Sequence, residues 1–327
     1  MEDCLSIAAD PAALSLAIVV TVAIVEGSVP REPGAKMLVD GTRQWGTVGG
    51  GHLELRGVET ARAMLAGGEV RRLERFPLGP KLGQCCGGVV HLAFELLDRA
   101  HLAALAARRR EDSWRLVAID GAPDLMLLDA AGHAVHGAAA NFPAFDRSGG
   151  THVLRDDAGR RWLADLVAAP RAHLMLFGAG HVGAAIVRAL ADLPCRVTWV
   201  DERDDLFPST LAPNVTVEAT DTPEALAQQA PAGTSFLVTT HSHALDQRLA
   251  ETILKRPGHD WFGLIGSSTK RTQFERRLSE RGVARERLDA MVCPIGIPGI
   301  EGKLPAVIAV AVAAQLLMVW EASHERT

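Results

Sequence analysis

The sequence predicts an α/β protein: an N-terminal α/β domain with a mixed sheet, then a C-terminal Rossmann-like domain with a doubly wound parallel sheet. Two observations in the second half carry most of this. The apolar run Leu174 to Phe177 leads into Gly178-Ala179-Gly180-His181-Val182-Gly183, a G-x-G-x-x-G turn set between a strand and a helical pattern. A further apolar run, Arg196 to Val200, ends in Asp201, 18 residues beyond Gly183. That is close to the ~20 expected for the acid that holds a ribose in this fold. The third observation lies upstream, where short β-branched runs alternate with one helical segment and with turns rich in glycine and proline. The divisions that follow are 1–112 for the first domain, 113–171 for a β-rich connection and 172–327 for the Rossmann-like domain.

In chain order, Leu16 to Val25 reads as a buried strand and runs into Glu26-Gly27-Ser28-Val29-Pro30-Arg31-Glu32-Pro33-Gly34, where regular structure stops. Ala35 to Val39 and Gln44 to Val48 read as two strands joined by the turn at Asp40-Gly41. Gly49-Gly50-Gly51-His52 then opens a helical pattern from Leu53 to about Leu65. A glycine run before a helix can cradle an anion with its N–H groups, and it can equally be a plain turn. Glu69 to Phe76 and Val89 to Leu96 are strands, and Arg99 to Arg110 a helix. Trp114 to Ile119, Leu125 to Leu128, Thr151 to Leu154 and Arg160 to Leu166 are short strands with an architectural role, and Ala168-Ala169-Pro170 is the expected joint.

Between the strands that end at Phe76 and begin at Val89 lies Leu82-Gly83-Gln84-Cys85-Cys86-Gly87-Gly88. Its glycines let the backbone approach a bound group while both thiols share one loop. Two small buried residues beside a turn, or a strained vicinal disulfide, are the other readings. A structural zinc site is not expected, because no C-x-x-C pair occurs.

Past Asp201, Val215 to Val217 and Ser235 to Thr239 continue the parallel sheet, with a helix over Pro223 to Gln229. The fourth strand runs into Thr240-His241-Ser242-His243-Ala244-Leu245-Asp246, at the end of the sheet where ligands bind in open α/β folds. His241 and His243 can ligate a metal, hydrogen-bond a ligand or cap a turn. Trp261 to Ile265 precedes Gly266-Ser267-Ser268-Thr269-Lys270-Arg271, which can hold an anion or simply cap the helix Arg271 to Arg281. After the loop Pro294 to Lys303 comes an apolar helix that begins at Pro305.

Composition narrows the function classes. A net charge of −5 gives no electrostatic case for nucleic acid. Five cysteines, scattered apart from one adjacent pair, favour a reducing compartment over a secreted disulfide framework. The acidic Met1-Glu2-Asp3-Cys4 start argues against a secretory signal. The apolar stretch Leu304 to Trp320 is interrupted by Pro305 and Gln315, so a buried helix is expected rather than a membrane span. It could also contribute to a homodimer. A cytoplasmic protein is the expectation.

From the residues alone, the Gly178 turn with Asp201 points to an NAD(P)-dependent oxidoreductase. Against that stands the lack of an evident acid–base set; the chain contains no tyrosine. The combination of motifs from Gly27 to Met37, Gly46 to Glu54, Leu82 to Gly88, Phe177 to Gly183, Thr240 to Asp246, Gly266 to Arg271 and Pro294 to Ile300 resembles the XdhC/CoxI family, in the same order along both halves. The resemblance implies a chaperone rather than a catalyst. It would bind the molybdenum cofactor, a molybdopterin, hold it while a cysteine desulfurase supplies the terminal sulfido ligand, and deliver it to the molybdenum-binding subunit of apo xanthine dehydrogenase. On this reading Cys85 and Cys86 contact molybdenum or its sulfur. The cofactor-binding set comprises Gly49, Gly50, Gly51, His52, Gln84, Gly178, Gly180, His181, Gly183, Asp201, His241, His243 and Ser267. The Gly178 turn would then form one wall of a cleft between the domains. A scaffold that joins desulfurase and dehydrogenase without binding cofactor is a third reading.

Overall fold

The computed structural model describes residues 16–79, 87–97, 99–108, 111–137 and 142–324. The chain divides into two compact units, Met1–Ala169 and Pro170–Thr327.

The first unit contains two five-stranded sheets. Strands β1 (Ile18–Glu26), β2 (Lys36–Val39), β3 (Gln44–Gly46), β4 (Arg71–Pro77) and β5 (Val89–Leu96) form the order β3-β2-β1-β5-β4. Every pairing is antiparallel, where the sequence had suggested a mixed sheet. The cause is the connection through helix α1 (Gly51–Gly67). It carries the chain to the far edge of the sheet, and β5 then returns between β4 and β1. Alternation in β1 explains its uninterrupted apolar run. Ile18, Val20 and Val22 pack against Leu53, Val58, Ala61 and Met64 of α1, while Ala17, Val19 and Ala23 face the second sheet.

That second sheet comprises β6 (Ser113–Ala118), β7 (Leu125–Asp129), β8 (Ala134–Gly137), β9 (His152–Arg155) and β10 (Arg161–Val167), in the order β8-β7-β6-β10-β9, preceded by helix α2 (Arg99–Ala107). Val117, Leu125 and Leu163 meet Ala23 and Ala93 of the first sheet. A buried charge network crosses the same interface. Arg115 donates to Asp165 at 2.8 Å and to Glu95, while Lys36 lies 2.8 Å from Asp165. Thr151 Oγ1 adds a bond to Asp165 at 3.1 Å. Two cations and two anions therefore balance where the sheets meet. This region, read from sequence as purely architectural, is one half of a sandwich.

The second unit is a parallel sheet of β11 (Ala172–Phe177), β12 (Cys195–Asp201), β13 (Val215–Ala219), β14 (Ser235–Val238) and β15 (Phe262–Leu264), in the order β13-β12-β11-β14-β15. Leu174 and Leu176 bury against helices α3 (His181–Leu190) and α8 (Pro305–His324). Met175 and Phe177 face the other side, toward α4 (Pro223–Gln229), α5 (His243–Leu254), α6 (Ser268–Glu280) and α7 (Arg285–Ala290). Because β11 is buried on both faces, its sequence is apolar throughout. Helix α8 is long and apolar enough to cross a membrane by length and composition. One face of it, Ala309, Val312, Ala313, Leu316 and Trp320, belongs to the core beneath β11, and Trp320 donates to Ser235 Oγ at 3.0 Å.

The Asp165 network gives a direct test. Asp165→Ala strands Lys36 against a low-dielectric interface and removes one partner of Arg115, and breaking a buried pair of this kind costs about 3–5 kcal/mol. Removing the exposed Arg56–Glu59 pair by Arg56→Ala should cost less than ~1 kcal/mol. Urea unfolding midpoints of the two variants measure the contrast.

Candidate functional site

The order of the parallel sheet reverses at β11, between β12 on one side and β14 on the other, so the crevice above its carboxyl edge lies at a topological switch point. The three glycines of the turn there have separate tasks. Gly178 adopts φ +116°, and a side chain on it would strike the Thr239 carbonyl oxygen at 2.6 Å. At Gly183 a Cβ would fall 2.0 Å from the Gly178 carbonyl oxygen. Gly180 is different, since a Cβ there meets nothing within 4 Å. It caps α3 without a side-chain bond, and the first N–H groups of that helix have no intrahelical acceptor. Open space, free donors and a positive helix end coincide at Gly180 and His181, which suits a phosphate.

Asp201 closes one side of this turn. Its Oδ2 accepts from the Ala179 N–H at 2.6 Å, and Arg203 grips both oxygens at 2.8 and 2.9 Å. Burial alone would push the Asp201 carboxyl up. The Arg203 guanidinium and the Ala179 and Arg203 N–H groups outweigh burial and hold it below the usual carboxylate range. An acid so engaged has little left to offer a ribose diol. The crevice beside it is lined by Val200, Asp201, Glu202, Pro223, Thr240, His241 and Leu245.

Other expected residues are distributed by local chemistry. His241 lines the crevice, and His243 begins α5 behind Ser242, whose hydroxyl accepts from the Leu245 N–H at 3.3 Å. Ser267 caps α6 in the same way, accepting from the Lys270 N–H at 3.3 Å. These two loops are tied together by a contact that no motif spacing signals. Asp246, 1% exposed, accepts from Thr240 Oγ1 at 2.6 Å and from Lys270 Nζ at 2.6 Å. Among the described residues no group of three or more His, Cys, Asp or Glu is arranged to hold a metal ion.

In the first unit, one N–H of the triple glycine, that of Gly50, meets an anion, and the anion comes from the chain. Glu54, one turn into α1, accepts from the Val48 and Gly50 N–H groups at 3.2 Å each, from Thr47 Oγ1 and from Gln44 at 2.9 Å. The Gly49 N–H is taken by Thr47 Oγ1 at 3.1 Å. Glycine remains necessary at Gly49, whose φ is +130° and where a Cβ would press on Pro30 at 2.5 Å. Gly51 and His52 form the exposed start of the helix. Gln84, Cys85 and Cys86 lie outside the described residues.

Two sequence profiles match the chain. One, described as the XdhC Rossmann domain, covers residues 174–316, and the other, described as the XdhC and CoxI family, covers residues 15–77. The chain belongs to the XdhC and CoxI family. The Gly178 turn, Asp201, His241, His243 and Ser267 fall within the first span, and the triple glycine within the second. A curated relative, the uncharacterized protein YqeB of Escherichia coli (strain K12), is 29% identical over 174 residues, which is 53% of this chain. The chain spans 32% of that relative's length. A solved structure from Bacillus halodurans, described as a xanthine dehydrogenase, matches 98% of this chain and 96% of its own at a TM-score of 0.75. At 19% identity that likeness shows a shared fold.

The glycine geometry separates structural from ligand roles. Gly183→Ala should destabilise the second unit by at least ~1–3 kcal/mol, because backbone meets the new methyl group. Gly180→Ala should leave the thermal midpoint unchanged and weaken only ligands that approach the turn; thermal unfolding of both variants checks this. Asp201 supplies a pH signature. Because its folded pKa is depressed, its contribution is complete above the unfolded value near ~3.9 and is lost as pH falls through the folded value. The stability gap between wild type and Asp201→Asn should therefore be constant from about pH 5 to 8 and shrink below about pH 4.

Proposed function

We propose that this chain carries the molybdenum cofactor as cargo and serves the maturation of a xanthine dehydrogenase. It accepts the pterin-bound metal, keeps it while a cysteine desulfurase provides the terminal sulfido ligand, and releases it to the molybdenum-binding subunit of the apoenzyme. Membership of the XdhC and CoxI family supports this reading. The observation that carries it is the state of the second unit's turn. Gly180 leaves room for a phosphate, while Asp201 is already engaged by Arg203 and Ala179. That combination favours a phosphate-bearing ligand that is not read through a ribose diol, as a dinucleotide would be.

The thiol chemistry is in keeping with it. Burial pushes Cys195 up to about 11, against a weaker opposing bond from Asn214, and burial also raises Cys293. Both are neutral thiols near pH 7 and poor ligands for a soft metal. It is the family resemblance that gives thiolate contact with molybdenum or its sulfur to Cys85 and Cys86. The chain's own part is to bind, orient and shield the cargo, with no bond of a substrate made or broken by it.

Anaerobic titration with molybdenum cofactor, run beside a titration with NADH, tests the proposal. Uptake of the cofactor with weak or no NADH binding is expected, together with activation of apo xanthine dehydrogenase by the loaded protein. Cys85→Ser with Cys86→Ser should abolish that activation. Tight NADH binding without cofactor uptake would replace the proposal with an oxidoreductase, and binding of neither would leave a scaffold.

A further inference from the structure

Helix α8 keeps one apolar side uncovered. Its span Pro305–Ala322 is apolar enough to cross a membrane, yet only 33% of it is buried. Among the described residues, the three most exposed large hydrophobic side chains lie on α8 or just before it: Leu304 at 70%, Met318 at 66% and Val310 at 64%. A period of 3.6 residues gathers Val307, Val310, Ala314, Leu317 and Met318 into one stripe. The stripe points away from Ala309, Val312, Leu316 and Trp320, which fill the core. A contiguous exposed stripe of this kind marks an interaction face.

The helix is not free to leave the fold for a bilayer. Gln315 bonds both the N–H and the carbonyl of Gly296, at 2.9 and 2.8 Å, and Trp320 is held by Ser235. Nor do its ends suit an anionic lipid surface, which calls for lysines and arginines beside the apolar face. The exposed charges there are Glu301, Lys303 and Glu321, on a chain of net charge −5.

The stripe is instead complementary to itself. Turned end for end at the level of Val312, it meets its own image, with Val310 opposite Ala314 and Met318 opposite Ala306, large against small. Val307 falls opposite Leu317. Lys303 at one end then meets Glu321 at the other, both exposed. A parallel arrangement would set each of these charges against its own copy. Residue i meeting j while j meets i is the condition for a two-fold interface between identical chains.

We propose that α8 is a homodimer interface. Two copies of the chain pair antiparallel along this stripe, with the two-fold axis at the level of Val312 and a Lys303–Glu321 ion pair at each end. The pairing is independent of any cargo.

Sedimentation velocity of the full chain over a range of concentrations reads the pairing. Wild type should sediment as a dimer that dissociates on dilution. Val310→Lys brings two ammonium groups into the apolar stripe near the axis and should raise the dissociation constant about a hundredfold or more. Lys303→Glu and Glu321→Lys should each raise it about fivefold, and the two together should restore the wild-type value. Circular dichroism confirms that each variant is folded; if Val310→Lys does not fold, the exposed charge reversals carry the test. A wild type that stays monomeric at every concentration, a dimer that survives Val310→Lys, or charge reversals that do not compensate one another would overturn the interface. Binding of monomeric wild type to phosphatidylcholine vesicles, lost in Val310→Lys, would also overturn it and assign the stripe to lipid.

Discussion

Backbone N–H groups exposed by a glycine turn must find an acceptor, and in this protein carboxylates of the chain itself provide it. Glu54 gathers the N–H groups of Val48 and Gly50 with two side chains, and Asp201 takes the Ala179 N–H while Arg203 neutralises it. Leaving such donors buried and unpaired costs about 1–3 kcal/mol each, so the arrangement stabilises both turns before any ligand arrives. It also narrows what they can bind. A turn already holding an anion is a poor second anion site. The Gly178 turn keeps its approach open only at Gly180 and the start of α3.

Within the first unit the same economy of charge fixes how the loop after β1 meets the second sheet. Asp165 is completely buried and joins Arg115, Lys36 and Thr151. Thr151 in turn packs under Gly34, where a Cβ would fall 2.8 Å from its hydroxyl, and Lys36 Nζ donates to the Gly34 carbonyl at 2.7 Å. Pro33 and Thr151 both line an open recess between the two sheets. The buried network therefore does more than hold two sheets together: it sets the loop after β1 against the strand that carries His152 and Arg155. Removing a partner should loosen that junction as well as the fold.

Most of the strand and helix pattern was legible because burial on both faces leaves apolar runs, as in β1 and β11, and because glycine and proline mark the breaks. The Rossmann-like unit was the clearest, since its turn needs glycine at Gly178 and Gly183 for steric reasons that any sequence must obey. The short, half-exposed β8 and the helix α7 escaped notice, having neither an apolar run nor a clear period. The polar partners were harder still. Glu54 follows the glycine run by three residues and Arg203 follows Asp201 by two, spacings that become meaningful only once the turn is folded. The network of Asp165, Arg115, Lys36 and Glu95 gave no signal at all, because contact between two sheets depends on pairings far apart in sequence.

Hydrogen–deuterium exchange of the full chain, with and without a saturating pterin monophosphate, tests most directly whether the ligand lies at the open turn of the second unit while the glycine run of the first is already occupied from within. Protection should rise at residues 180–183, with the Val48 and Gly50 N–H groups unchanged because Glu54 already holds them. Protection that instead rises at Val48 and Gly50, with the Gly180 turn unaltered, would contradict it.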